Sequence, residues 1–297
     1  MHEQAPKGLI WVLMILLTLI WGSSFLLLKY ALEMLHPAQV AALRISMAGL
    51  VLLPAGLVHI RHVARHNWVW LVLFTVLANI GVTLLNAVAQ TGLDSAVAGT
   101  LYSLIPMMTL GTGVLFFRQR GRLGQLLGLL LGLGGTALLI WVNRRSPTEA
   151  ATRFIAIALV AAFFNGLMAN LLKYKLSNLT AFQVASVSFL LVLPLMLAYV
   201  LYSGAVPLVL GSPAGLQAGL IVAVLGIFAN ALALILFRTI IDLSSPVFAS
   251  LTTYFIPVVA IFWGVLDGEP LGWHHMLALL LLLAGVWVVR RASRQDT

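Results

Sequence analysis

Apolar runs of about twenty residues alternate with short polar breaks along the whole chain. Ten such runs stand roughly at 8–28, 37–59, 68–90, 95–117, 123–143, 153–174, 181–202, 214–237, 244–266 and 272–289. Each is near the ~20 residues an α-helix needs to cross a bilayer. The stretches 126–133 and 279–283 are continuously apolar rather than alternating, which argues against a transmembrane β-barrel. The pattern therefore predicts an all-α integral membrane protein of about ten transmembrane helices. Trp68, Trp70, Trp141 and Trp273 fall near the ends of runs, where interface aromatics belong. The first run lacks a small-residue cleavage site and reads as a retained helix rather than a signal peptide.

The runs also repeat. Residues 97–106, VAGTLYSLIP, align without a gap on 248–257, FASLTTYFIP, at an offset of 151 (257 − 106). Ala78 and Asn79 fall on Ala229 and Asn230 in the same register, and Gly134 falls on Gly285. Earlier in each half the offset is 144 (173 − 29). There Gly22 and 27–30, LLKY, match Gly166 and 171–174, and Gln39 to Ala41 match Gln183 to Ala185. The change of offset falls in the loops 59–67 and 203–213. The chain thus divides into a first five-helix repeat, 1–147, and a second, 148–297. Five is odd, so the second repeat enters the membrane inverted. Inverted duplications commonly place a substrate site at the repeat interface near the membrane midplane.

Charge orients the chain. Only 8% of residues are charged and 62% are hydrophobic, far from the roughly one quarter charged of soluble domains. The net charge of +9 is dispersed in short clusters between runs, so it points to membrane topology and not to nucleic acid. With the N-terminus inside, the inner side holds Lys7, Arg61, Arg65, Arg118, Arg120, Arg122, Lys173, Lys175, Arg238, Arg290, Arg291 and Arg294. The outer side holds Lys29, Arg144, Arg145 and Arg153. This bias predicts cytoplasmic N- and C-termini. The absence of cysteine excludes disulfides, thiolate metal sites and a catalytic cysteine.

The motifs taken in order resemble a known family. Trp21-Gly22-Ser23-Ser24-Phe25 in the first run, Arg44 in the second, Pro106 and Pro257 in the fourth and ninth, and Gly268-Glu269-Pro270 after the ninth are similar to the ten-helix, EamA-type branch of the drug/metabolite transporter superfamily. The resemblance covers essentially the whole chain. It implies export or exchange of small metabolites, notably amino acids, through a cavity lined by both repeats, and it places the protein in a bacterial cytoplasmic (inner) membrane. Glu269 departs from symmetry, because Arg118 stands at the matching position of the first half.

Several residues are candidates for the chemistry. Asn79, Thr83, Asn86 and Gln90 are spaced 4, 3 and 4 apart and share one helix face. Amides facing lipid are costly, so this face reads as the polar wall of a cavity, with interhelical hydrogen bonding as the alternative. Asn230 is the repeat mate of Asn79. Trp21, Ser24 and Phe25 on the first run, with Asn165 and Asn170 on the sixth, combine aromatic and small polar groups that suit zwitterionic or amphipathic solutes. Phe25 alone reads as packing. Tyr102, Ser103, Thr252, Thr253 and Tyr254 lie within a turn of the prolines, where they would bind substrate or satisfy backbone carbonyls. Pro106 and Pro257 each remove an N–H donor and kink a helix, which suggests gating by the pair. Lys29 and Lys173 sit at run ends, placed to snorkel.

Arg44 is the one charge well inside a run. Ser188 stands at its repeat position, so Arg44 reads as a structural ion pair or a mouth-lining charge, with Glu33 its expected partner. Gly124, Gly128 and Gly132 form a small-xxx-small stripe, read as intramolecular packing with a weak homodimer as the alternative to a monomer.

No carboxylate is expected deep in a run. Glu33, Asp94, Asp242, Asp267 and Glu269 all stand near ends, so obligatory proton coupling lacks its usual group. Asp94 would be the residue to suspect. The histidines show no metal-ligand spacing, and no phosphate-binding Gly-Lys-Ser/Thr loop is present. The expected protein is a secondary transporter, a facilitator or exchanger working by alternating access. Its partners are a small-molecule substrate and membrane lipid, without cofactor, metal, nucleic acid or catalytic residues. A multidrug or nucleotide-sugar carrier and an intramembrane lipid-modifying enzyme are the alternatives.

Overall fold

The computed structural model describes residues 7–93, 98, 99, 101–119, 121, 123–142 and 149–266, with scattered helical positions between 273 and 291. Asp94, the Arg144–Arg145 pair, Asp267 to Pro270 and much of the tenth run lie outside the described residues. Among those described, all regular structure is helical, and the protein is an all-α membrane protein of about ten helices. Among the described residues six helices are long and apolar enough to span a bilayer: the first Gly8–Leu32, the second Pro37–His62, the third Arg65–Gln90, the sixth Arg153–Tyr174, the seventh Ala181–Tyr202 and the eighth Pro213–Leu243. Shorter apolar helices supply the fourth (Tyr102–Phe117), the fifth (Leu123–Val142) and the ninth (Pro246–Ser250 continuing to Ile256–Leu266).

Local chemistry explains where the helices start. His36 caps the second helix and Thr180 caps the seventh. In each, the side chain of the third helical residue, Gln39 or Gln183, returns a bond to the capping residue's backbone N–H. This capping box satisfies two backbone donors at once. It also accounts for the matched Gln-Val-Ala stretches, since both caps and both glutamines are 144 residues apart. The loop that lengthens the second half contains a six-residue helix, Ala205–Leu210, where the first half has only the turns Ile60–His62 and Arg65–Asn67.

The packing repeats with the sequence. An added Cβ on Gly49 of the second helix would lie 2.9 Å from Leu193 of the seventh, the position 144 residues on. A residue therefore meets its own repeat mate where these two helices cross, as at a two-fold axis. On one side of that axis a Cβ on Gly22 would lie 2.5 Å from Val259. On the other, a Cβ on Gly166 would lie 2.5 Å from the Met108 carbonyl carbon. Gly22 and Gly166 are mates, and so are Met108 and Val259 (259 − 108 is again 151). The first helix is thus locked to the ninth, and the sixth to the fourth, by equivalent glycine contacts across the halves. Thr18 Oγ1 donating to the Thr252 carbonyl at 3.4 Å and Trp263 Nε1 donating to Ser23 Oγ at 2.8 Å add polar links between the first and ninth helices.

The glycine stripe of the fifth helix faces inward to its neighbours. A Cβ on Gly132 would meet the Tyr254 ring, and one on Gly285 would meet the Gly128 carbonyl oxygen at 2.6 Å. Gly128 and Gly132 therefore serve packing within the chain.

Two departures from α-helical geometry recur at matched positions. The third helix carries a π-helical segment at Thr75–Val82, and the eighth carries one at Leu225–Leu232. Such i→i+5 segments are frequent at functional sites. Just before each of the two matched prolines the chain tightens into a 3₁₀ turn, Tyr102–Leu104 and Leu251–Tyr254. The sequence predicts that the prolines kink otherwise regular helices, and the structure differs. Pro106 and Pro257 each occupy the second position of the helix that follows the turn, where a missing N–H costs little.

The eighth helix runs on to Leu243, so Arg238 lies within it and not in a loop. Its side chain is fully buried. It donates to the carbonyls of Leu172, Leu176 and Leu179, the latter two at 3.0 and 3.1 Å, and pairs with Asp242 at 3.2 Å. Carbonyls at a helix C-terminus lack intrahelical donors and carry partial negative charge, so a guanidinium satisfies both needs. Lys173 Nζ donates to the Ile241 carbonyl at 3.3 Å from the opposite side.

Candidate functional site: a central cavity

One cavity lies between the helices of the two halves. Trp21, Ser24, Phe25 and Leu28 of the first helix face it, with Arg44 of the second. The third contributes Phe74, Ala78, Asn79, Val82, Thr83, Asn86 and Gln90, and the fourth Tyr102 and Ile105. From the second half come Asn165, Met168 and Leu172, then Phe189, then Ala229, Asn230, Leu234 and Phe237, and finally Thr253. The atom-free space amounts to about 1020 Å³, counting the part open to solvent, which is the scale of small-molecule sites.

The amide stripe of the third helix faces this space intact: all four of its residues line the cavity. The π segment explains how Asn79 takes part, because it belongs to Thr75–Val82 while Thr83, Asn86 and Gln90 belong to the α-helical end. Asn230 sits in the matching π segment of the eighth helix. Its Nδ2 donates to Thr83 Oγ1 at 3.3 Å, which ties the two amide-bearing walls together. Gln90 Nε2 donates to the Phe25 carbonyl at 3.2 Å. Tyr102 lies in reach of the Asn86 amide and close to the Arg44 guanidinium.

The aromatic side is built around Trp21. Its Nε1 donates to the Ala229 carbonyl at 3.2 Å and its ring tilts onto Phe237 at 5.5 Å. Phe25 meets the edge of Tyr102 at 5.0 Å, so it both packs and lines the cavity. Ser24 Oγ donates to the Trp21 carbonyl of its own helix at 2.6 Å. Among the described residues Asn165 Nδ2 likewise bonds within its own helix, to the Ala161 carbonyl at 3.0 Å.

Arg44 is held differently from the expectation. Glu33 is exposed at the end of the first helix, while the guanidinium of Arg44 turns to the other half of the chain. Its Nε and Nη2 both donate to Asn230 Oδ1, at 3.0 and 2.8 Å. The partner is a neutral amide 186 residues away, and no acidic side chain lines the cavity among the described residues.

Three expected site residues lie elsewhere or serve structure. Thr252 and Tyr254 flank Thr253 in a 3₁₀ turn, so they point away from the cavity that Thr253 reaches. Thr252 Oγ1 donates to the Ala249 carbonyl at 2.7 Å, and the buried Tyr254 covers Gly132. Asn170 is buried between helices, donating to the Thr109 carbonyl at 2.7 Å and to Thr112 Oγ1 at 3.0 Å.

The apolar lining by Phe74, Met168, Leu172, Phe189, Leu234 and Phe237 was not singled out from the sequence. In a chain so apolar these residues are indistinguishable from core by type alone. They shade into the largest apolar cluster, which joins Met14 and Leu17 to Val63, Leu176, Leu179 and Val247. The same cluster takes in Val63 and Leu176, beside the loops that carry Arg61, Arg65 and Lys175. Among the described residues no group of three His, Asp or Glu side chains could hold a metal.

A helical membrane protein with a solvent-connected, amide- and aromatic-lined cavity between two similar halves has the build of a solute carrier. The chain belongs to the EamA-like transporter family, whose pattern it matches twice, over residues 7–141 and 152–291. It is 24% identical to an uncharacterized transporter of Archaeoglobus fulgidus, an alignment covering 95% of this chain and 98% of that one. It is also 24% identical to the uncharacterized inner membrane transporter YedA of Escherichia coli K12, over 92% of this chain and 88% of the relative. A solved crystal structure shares the fold with a TM-score of 0.73 at 20% identity, covering 98% of this chain and all of the other. The protein is therefore a membrane transporter.

Proposed function

We propose that the protein is a secondary carrier of amino acids, acting as a uniporter or exchanger that exports along the gradient from the bacterial cytoplasm. The observation that carries this reading is the cavity wall, where one guanidinium and a row of amides face aromatic and aliphatic side chains. A small zwitterion with an apolar side chain matches that division. Phosphorylated cargo such as a nucleotide sugar would call for more cationic groups than Arg44.

The two repeats, 1–147 and 148–297, would rock about the crossing of the second and seventh helices, exposing the cavity to one side and then the other. The equivalent glycine contacts across the halves support this reading. With the basic loops inside, the apolar cluster that includes Phe237 would form the cytoplasmic gate of this motion. Pro106 and Pro257, each following a 3₁₀ turn against the cavity, are placed to act as hinges. A single chain encloses the whole cavity, which suits a working monomer in the inner membrane with both termini cytoplasmic. No cofactor or coupled proton is required by this scheme.

Ligand-induced stabilisation tests the substrate class. A ligand at one hundred times its Kd adds about 2.7 kcal/mol, which is about 5–10 °C in Tm at the slopes of medium-sized domains. Purified protein screened against amino acids, nucleotide sugars and cationic drugs is expected to show that rise with at least one aromatic or aliphatic amino acid. A rise confined to nucleotide sugars or drugs would overturn the amino-acid assignment.

A further inference from the structure

We propose that Arg44 captures a carboxylate of the transported solute, with Asn230 as its positioning residue, so that the carrier selects free acids over their neutral amides. The inference rests on the transport reading above and sharpens it to one atom group.

Two buried arginines, Arg44 and Arg238, have their charges met in different ways. Arg238 has its charge met by three backbone carbonyls and by Asp242. That is how a structural arginine is satisfied, and Arg238 lies outside the cavity lining. Arg44 is 8% exposed, yet its only hydrogen-bond acceptor among the described residues is Asn230 Oδ1, which takes both Nε–H and Nη2–H. A guanidinium has five N–H donors, so three remain, on a group that faces the cavity. A neutral amide orients the guanidinium but leaves its charge uncompensated, and a buried charge calls for an opposite one. A carboxylate offers the matching planar pair of acceptors.

The asymmetry of the two halves supports the assignment. The repeat mate of Arg44 is Ser188, whose Oγ is spent on the Ala185 carbonyl. The mate of Asn230 is Asn79, whose buried Nδ2 has no hydrogen-bond partner among the described residues. If the Arg44–Asn230 pair served helix packing alone, the duplication would be expected to keep an equivalent at the 188–79 position. Instead one cation stands on one wall, and an amide donor without an acceptor stands on the wall related to it. Both are hydrogen-bond donors, and donors pair with acceptor oxygens. Close approach fixes the cation's place: a Cβ on Gly226 of the eighth helix would lie 2.5 Å from the Arg44 carbonyl oxygen, so the backbone bearing Arg44 and the helix bearing Asn230 are pressed together one turn from the pair.

The test has two readouts on purified full-length protein. The first is competition for counterflow by amino acids, each paired with its carboxamide. Wild type is expected to prefer the acid by about tenfold or more. Arg44→Gln should abolish that preference, Arg44→Lys should restore much of it, and Asn230→Ala should weaken binding of the acid while keeping the preference. A purely structural Arg44 would lower acid and amide uptake in equal proportion, and that result would overturn the proposal. The second readout is the thermal shift given by benzoate against benzamide, which does not depend on amino-acid transport. A benzoate shift lost in Arg44→Gln, without any amino-acid counterflow in wild type, would sustain the carboxylate site and reject the amino-acid reading. Equal shifts from benzoate and benzamide, or a benzoate shift that persists in Arg44→Gln, would reject the carboxylate site. Absence of response to any carboxylate in either readout would do the same.

Discussion

Gly166→Leu is expected to leave no folded carrier, and Gly166→Ala to lower its Tm by on the order of 10 °C. The sixth helix touches the fourth through the bare Cα of Gly166. A Cβ there would sit 2.5 Å from the Met108 carbonyl carbon and 2.6 Å from the Thr109 nitrogen. These are backbone atoms inside a helix and cannot turn aside, so the helices must separate. Overpacking of this kind costs about 1–3 kcal/mol for small additions. Separation would also strip Asn170 of its bonds to Thr109 and Thr112, leaving a buried amide unsatisfied at a further cost of about 1–3 kcal/mol. Gly22→Ala meets the Val259 side chain instead, at 2.5 Å from its Cβ, and should lose less because part of that contact can shift. Gly111 provides the control. An added Cβ there meets nothing within 4 Å, so Gly111→Ala should match or slightly exceed wild type, given the better helix propensity of alanine. Melting of detergent-purified variants, checked by size-exclusion profile, measures all three. Equal Tm for Gly166→Ala and Gly111→Ala would contradict the packing described.

The second large effect is a loss of transport without loss of fold. Asn165 lines the cavity and, among the described residues, bonds to the Ala161 carbonyl of its own helix alone. Asn165→Ala should therefore cost no more than about 0.5 kcal/mol and leave transport measurable. Asn165→Trp places an indole in the solute space without breaking an interhelical bond. Uptake should fall below detection while Tm stays within about 4 °C of wild type. Persisting uptake in a folded Asn165→Trp protein would mean that solute passes by another route.

Much of this site was legible in the sequence, for identifiable reasons. The stripe of Asn79, Thr83, Asn86 and Gln90 stands out because amides are rare in such apolar surroundings and their spacing fits one helix face. The repeat could be read because both offsets hold over many residues, and the glycine pair Gly22 and Gly166 was already visible in it. The partner of Arg44 was not legible. Sequence proximity favours Glu33, whereas the fold brings in Asn230 from the eighth helix across the two halves. The π segments carry no compositional signature, since an i→i+5 turn is set by packing and not by residue type. The same limit separates Thr253 from Thr252 and Tyr254: in a 3₁₀ turn neighbouring side chains point about 120° apart, and one apolar-hydroxyl run does not say which of three faces meets the cavity. Arg238 reads as one more basic residue near a run end, and only the extension of the eighth helix to Leu243 turns it inward.

Counterflow in proteoliposomes is the most direct test of the central claim, that one cavity is offered alternately to the two sides. Vesicles loaded with an unlabelled amino acid and given a labelled trace outside should accumulate label transiently above equilibrium, with and without a pH gradient, because outward passage of cold solute returns the empty or loaded cavity to the outer face. Label that only equilibrates, at a rate indifferent to the internal load, would describe a pore and would contradict the account.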